Sequence, residues 1–350
     1  MNHLIRVILG NALAALIGLA APFAASAQTG GMPDYGLRWS VIGSAGNAPA
    51  IVPPGQQYTR PGPIGAVGYE YRIAQTEVSV GQWWEFMNAY APHTRGDLGN
   101  ALSVMPSRGV VEFFGLSNGV PQYRLTPGTS DEPAFVRYRG ASRYLNWLHN
   151  GKPSAANARP EDFERGAYDI STFGEDPNNI VTDQISRSPG ARFFFPTFNE
   201  WTKAVYFDPN RYGPGQAGYW TQPNGTNTPL VRGRPENGGQ TNASPWPAGQ
   251  TLPVNVGSYP TVRTPWGLLD ASGGGAEFLD DVQVDIFNGQ RTRLVTGSDF
   301  TPYSLPDRLG SRFDAAVGDF VALRVASVVP SPPVVMIPVV YSLIHSRRRL

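Results

Sequence analysis

Glycine and proline occupy 40 and 33 of the 350 positions. That density of backbone punctuation limits how much of the chain can be regular helix or strand, so much of it must run as loop. Loops need pinning. No cysteine is present, so disulfides cannot supply it, and the same absence excludes a thiol nucleophile or a thiolate metal site. What remains is a large core, a bound metal, or both. Aromatic residues make up 11% of the chain, which is ample material for burial.

Both ends read as export signals. His3 and Arg6 precede an apolar run from Val7 to Ala21, and Ala25-Ser26-Ala27 offers small residues for cleavage before Gln28. This is the pattern of a secretory signal peptide over residues 1–27. An uncleaved anchor helix is the other reading, disfavoured because the run is short and Pro22 follows it. At the far end Val334–Ile344 is apolar, broken by Pro338 and followed by Arg347-Arg348-Arg349. A membrane span needs roughly 20 residues. Just upstream, Val329-Pro330-Ser331-Pro332 resembles the Val-Pro-Glu-Pro signature of PEP-CTERM sorting tails, with Ser331 at the glutamate position. The resemblance implies a tail over 328–350 handled by exosortase-type sorting machinery in a Gram-negative bacterium. It also implies transient or terminal membrane anchoring and a cell-envelope, outer-surface or secreted destination. A plain hydrophobic tail is the alternative.

Removing both ends takes away Arg6 and three terminal arginines. The 28 basic and 27 acidic residues then become 24 and 27, a net charge of −3. A mildly acidic chain has no electrostatic footprint for nucleic acid.

Between the ends the local signals are sparse. Residues 28–65 are rich in Gly, Pro and Ala, with a short strand expected at Leu37–Ile42 and another at Gly68–Ile73. Ser79-x-x-Gln82 is a capping box that starts a helix, and Trp83, Phe86, Met87 and Tyr90 form one apolar stripe along it. A second helix is expected from Arg139 to Asn150, with Ala141, Tyr144, Leu145 and Leu148 on one face and Gly151 just past its end. Ser154–Gln184 is a polar excursion and Arg192–Phe195 a short strand. Thr197-x-x-Glu200 is a second capping box, opening a helix to Tyr206. Asp208–Val262 is turn after turn, with Tyr219, Trp220, Trp246 and Tyr259 as potential anchors. Strand-like pieces follow at Arg293–Thr296 and Phe320–Val325. No internal repeat is visible. The expectation is an α+β domain over 66–327 with few helices, short strands and long ordered loops.

Four blocks carry a resemblance. They are Tyr71–Val78 (YRIAQTEV), Phe195–Ala204 (FPTFNEWTKA), Pro265–Phe278 (PWGLLDASGGGAEF) and Phe320–Ala326 (FVALRVA). In this order they resemble the formylglycine-generating-enzyme, or sulfatase-modifying-factor, family. Ala141–His149 (ASRYLNWLH) is similar to its exported PEP-CTERM members. The resemblance implies a variant of the C-type lectin fold. The family's oxidases bind copper through two cysteines, and related iron enzymes use three histidines. This chain has no cysteine, and of its four histidines His3 and His345 lie in the terminal signals. Only His93 and His149 remain, so neither copper nor iron is expected. His149, near a helix C-terminus, is expected to be structural, its imidazolium favoured by the helix dipole.

The third block departs from the family, with Gly274, Gly275, Ala276 and Phe278 where relatives carry Asn, Val, Trp and Trp. In the family this segment helps bind calcium. Glu277 persists as a possible ligand, whereas loss of the Asn side chain at 274 weakens the site. Asp270 is expected to bond backbone N–H groups. Glu277, Asp280, Asp281 and Asp285 form an acidic cluster that is either a calcium site or a solvated loop. Asn227, in Asn224-Gly225-Thr226-Asn227, marks a second possible cation site or simply a turn. Gly273–Gly275 lacks the Lys-Ser/Thr of a phosphate loop. Trp220, Trp246 and Trp266 are candidate ligand contacts, since aromatic faces stack on sugars, with core packing as the competing role for each. Three functions stay open: a non-catalytic module binding a carbohydrate, peptide or matrix polymer; an enzyme with a relocated site; and a structural envelope or biofilm component.

Overall fold

Ser79 and Thr197 each stand ahead of a helix and each closes its capping box. The Ser79 hydroxyl accepts from the Gln82 backbone N–H at 3.3 Å, and the Gln82 side chain accepts from the Ser79 N–H at 3.0 Å. Thr197 and Glu200 repeat the pattern at 3.2 and 2.7 Å. The computed structural model describes residues 32–55, 59–243, 254–300 and 307–329. The expected signal peptide, Trp246 and the sorting tail beyond Val329 lie outside them. Asp34–Pro330 form one compact unit, which takes in most of the expected 28–65 segment.

The first half of the chain holds β1 (Trp39–Ile42), β2 (Ala50–Val52), β3 (Gly62–Ile64), β4 (Tyr71–Ala74), α1 (Val80–Tyr90), α2 (Leu98–Ser103), β5 (Val111–Ser117), β6 (Val120–Leu125), α3 (Tyr138–His149) and α4 (Glu161–Glu164). The second half holds β7 (Phe193–Phe194), α5 (Phe198–Tyr206), β8 (Phe207–Asp208), β9 (Gly218–Tyr219), β10 (Glu277–Val284), β11 (Arg291–Thr296), β12 (Phe313–Ala315) and β13 (Ala326–Val328). This is the mixed α+β architecture expected, with few helices and short strands in small sheets.

The central sheet runs β1-β4-β13-β7 and is antiparallel throughout. Strand β4 is buried at all four positions and pairs with β1 on one edge and β13 on the other. Arg72 survives there by laying its guanidinium 4.2 Å over the Trp39 ring and pairing with Asp34 at 3.0 Å. The apolar stripe of α1 meets α3, with Trp83 stacked on Tyr144 at 5.5 Å and Phe86 5.8 Å from Trp147. Phe163 of α4 closes this cluster against Phe86 and Tyr90.

The second sheet runs β10-β11-β12, with a bulge in β10 between Phe278 and Val282. Helix α5 packs against β10. A hairpin, β5–β6, turns at Asn118-Gly119, both with positive φ, the geometry of a type I′ turn. The expected strand at Phe320–Val325 does not form. Its backbone is divided among three partners instead: Val321 pairs with Val136, Ala322 with the start of β10, and the Leu323 and Val325 carbonyls accept from Val78 and Ala74. The ladder resumes only at β13.

Candidate functional site

The glycine-rich third block lies against a buried ionic centre. Arg324 is fully buried. Its Nε and Nη2 donate to Glu277 Oε1, and its remaining donors reach the carbonyls of Ala74, Leu269 and Asp270 at 3.0–3.1 Å. Glu277 Oε2 accepts from Trp201 Nε1 at 2.6 Å. Glu77 lies at the edge of this centre, its Oε2 3.9 Å from Arg324 and without a hydrogen bond, its Oε1 accepting from the Gly275 N–H at 3.0 Å. Burial, then the charge of Asp270, pushes the Glu77 carboxyl well above its usual range. Asp270 accepts from the Gly257 N–H, as expected, and burial pushes it up to about 6. The glycines have a steric reason. A Cβ at Gly274 would meet Glu77 Oε1 at 2.3 Å, and one at Gly273 would meet Asn242 Oδ1 at 2.1 Å.

A cavity of about 380 Å³ is lined in part by Asp280, Asp281, Val282 and Gln283 of β10. Its polar wall comes from Arg60, Thr197, Asp280, Asp281, Gln283 and Arg312, and Ile185, Val282 and Leu294 supply the apolar part. The two aspartates lie in the β10 bulge and bond to different partners. Asp280 is only 3% exposed. Its oxygens accept from the Tyr168 hydroxyl at 2.8 Å and the Arg187 N–H at 3.0 Å, while burial pushes it up to about 6. Asp281 Oδ2 accepts from the Phe198 N–H at 2.6 Å, capping α5. The Arg187 side chain is likewise committed, forking onto Glu200 at 2.8 and 2.9 Å and lying 3.8 Å over Phe194.

The two cavity arginines are different. Arg60 comes no nearer to a carboxylate than 3.8 Å, at Asp281. Arg312 reaches Gln283 and Asp314 only at 3.5 Å, and its Nε is buried without a partner. Thr59 and Ser311 form an antiparallel bridge, and the Arg60 N–H donates to the Gly310 carbonyl at 3.0 Å. In that register Arg60 opposes Gly310, so Arg60 and Arg312 are diagonal neighbours on one face, at a separation of about 7–8 Å between such Cα positions.

The expected calcium ligands are not assembled into one site. Glu277 is turned to Arg324 and Trp201, Asp280 to Tyr168 and Arg187, and Asp281 to the start of α5. Asn227 Oδ1 accepts from Thr221 and from Arg211. Among the described residues, no three His, Cys, Asp or Glu side chains are grouped to hold a metal ion. Of the candidate tryptophans, Trp220 is held by polar contacts, whereas Trp266 Nε1 is buried without a hydrogen-bond partner. Trp220 donates to Asp208 at 3.0 Å and carries the Arg211 guanidinium 4.7 Å from its ring. Trp266 is half-buried beside Gly43. Neither lines the cavity.

His149 is structural, but not as an imidazolium. Its Nδ1 accepts from the Arg192 N–H at 3.0 Å, and burial, then Arg192, lowers its pKa. His93 packs on Phe163 at 5.2 Å. The cavity residues Arg60, Gln283 and Arg312 carry no motif, and only the chain's long-range pairing brings them together.

No family model and no curated protein matches the chain. Among solved structures it is similar to CarF (16% identity, 85% of this chain and all of that chain, TM-score 0.48). It is also similar to variable protein 1 of Treponema denticola, at 16% identity over 83% of this chain and 94% of that one, with a TM-score of 0.46. For PvdO of Pseudomonas aeruginosa the values are 17%, 83%, 94% and 0.44.

Proposed function

We propose that this chain is an exported, non-catalytic ligand-binding module on a formylglycine-generating-enzyme-like scaffold of the C-type-lectin class. The observation that carries the reading is the state of the cavity wall. Its buried carboxylate, Asp280, is taken up by backbone and hydroxyl donors and Asp281 is bonded on Oδ2, whereas its two arginines keep donors to spare. A wall of this kind, with unmet cationic donors, can hold a ligand. The four sequence blocks support the scaffold, and the absence of cysteine removes the family's copper site. The end motifs support export to the envelope or beyond, with exosortase-type machinery as the processing partner. Glu277 serves the buried ionic centre through Arg324 and Trp201.

One observation favours a second reading. Asp280 is a buried carboxyl with raised pKa at a cavity wall, the profile of a relocated acid–base catalyst. Incubating the purified chain with a glycan library separates the two. The binding reading predicts retained ligands recovered chemically unchanged. Hydrolysed or modified product, lost in Asp280→Asn, would establish the enzyme instead.

A further inference from the structure

We infer that Arg60 and Arg312 form a clamp for the carboxylate of an acidic saccharide, of the kind a uronic acid residue presents. This rests on reading the cavity as a ligand site and names what enters it. Four observations carry it. The Thr59–Ser311 bridge sets both arginines on one face, and both line the cavity. Their present contacts are long, at 3.5 and 3.8 Å, and Arg312 Nε is buried with no acceptor. A buried unmet guanidinium donor is costly, and a carboxylate accepting two of its N–H groups in parallel removes that cost. Asp280 is already bonded on both oxygens and Asp281 on Oδ2, so the buried acid of the cavity calls for no donor from a ligand. The imbalance therefore favours a guest rich in acceptors.

The rest of the wall selects among anions. Ser186, Thr197 and Gln283 line the same cavity, and hydroxyl and amide groups match a ring of sugar hydroxyls. Ile185, Val282 and Leu294 offer the smaller apolar face that a sugar ring covers. Asp281 and Asp314 lie beside the two arginines. They disfavour a densely charged polyanion and suit one carboxylate per subsite.

The test uses the full chain and three probes followed by isothermal titration: a hexameric oligouronate, a neutral hexasaccharide of equal length, and an oligoglutamate. The expected result is tightest binding of the oligouronate, weakening as salt rises. Arg312→Gln and Arg60→Gln should each cut that affinity at least tenfold, with thermal unfolding confirming that each variant is folded. Arg60→Lys keeps the charge but not the fork, and should lose most of the affinity while folding normally. Sugar binding with no preference for uronate, or indifferent to both arginines, would overturn the clamp and leave the binding module standing. Oligoglutamate binding as tightly as oligouronate would overturn the saccharide assignment. Binding of none of the three would overturn the clamp and count against the module as well.

Discussion

Replacing Gly274 by alanine isolates the close approach that shapes the third block. The residue has φ +60°, and an added Cβ would lie 2.3 Å from Glu77 Oε1. Ordinary contact begins near 3.4 Å, so the carboxyl must retreat by about an ångström. Glu77 is fully buried, and the same oxygen accepts the Gly275 N–H. Left-handed backbone costs alanine ~1–2 kcal/mol. Stranding a buried N–H adds ~1–3 kcal/mol, so Gly274→Ala should cost ~2–5 kcal/mol. That is a large share of the ~5–15 kcal/mol typical of a domain. Gly46→Ala is the control, since Gly46 has φ +77° and nothing within 4 Å of its Cβ position. It should show the backbone part alone, ~1–2 kcal/mol. Guanidinium unfolding with linear extrapolation reads both. In a Glu77→Ala background the obstacle is gone, and the Gly274→Ala penalty should shrink toward the control. Equal penalties for Gly274→Ala and Gly46→Ala would refute the steric argument.

Stability should fall as pH rises from about 4 to 6. Asp270, Asp280 and Asp307 are all pushed up to about 6 by burial, so the folded state keeps protons that the unfolded chain releases in that window. Each shift of about two units is worth ~3 kcal/mol. The lowered pKa values of His93 and His149 act the other way below about 6.5, through smaller shifts. Calorimetry should find a higher Tm at pH 4.5 than at pH 7, and a Tm that climbs steadily over that range would refute the assignment. Trp201→Phe deletes the donor to Glu277 Oε2 and should cost ~1.5–3 kcal/mol, as expected for a hydrogen bond to a charged group. A change below about 0.5 kcal/mol by denaturant unfolding would show that the bond contributes little. Thr197→Ala opens the α5 capping box and should cost ~1 kcal/mol by the same assay, with helix content largely retained.

Local signals were legible because local physics decides them. Both capping boxes formed where Ser79 and Thr197 predicted them, and Asp270 bonds a backbone N–H as its loop setting implied. The β5–β6 hairpin also carries a readable mark, Asn118-Gly119 between alternating residues. Phe320–Val325 looked like a strand because its composition suits burial. Its backbone is instead shared among three segments, an outcome no short window encodes. His149 sits at a helix end that would favour a cation, yet burial and Arg192 prevail and it accepts a backbone hydrogen bond. The acidic residues after Gly275 looked like a metal cluster because they are close in sequence. In the fold Glu277, Asp280 and Asp281 bond to different partners, the last two from within the β10 bulge. Arg60 and Arg312 show the reverse: remote in sequence, they become neighbours through one bridge.

The most direct test of the account is mass analysis of an acidic oligosaccharide after prolonged incubation with the purified chain, alongside titration of the same pair. The account predicts saturable one-to-one association and a sugar recovered at its original mass. A shortened, oxidised or otherwise altered sugar would contradict it.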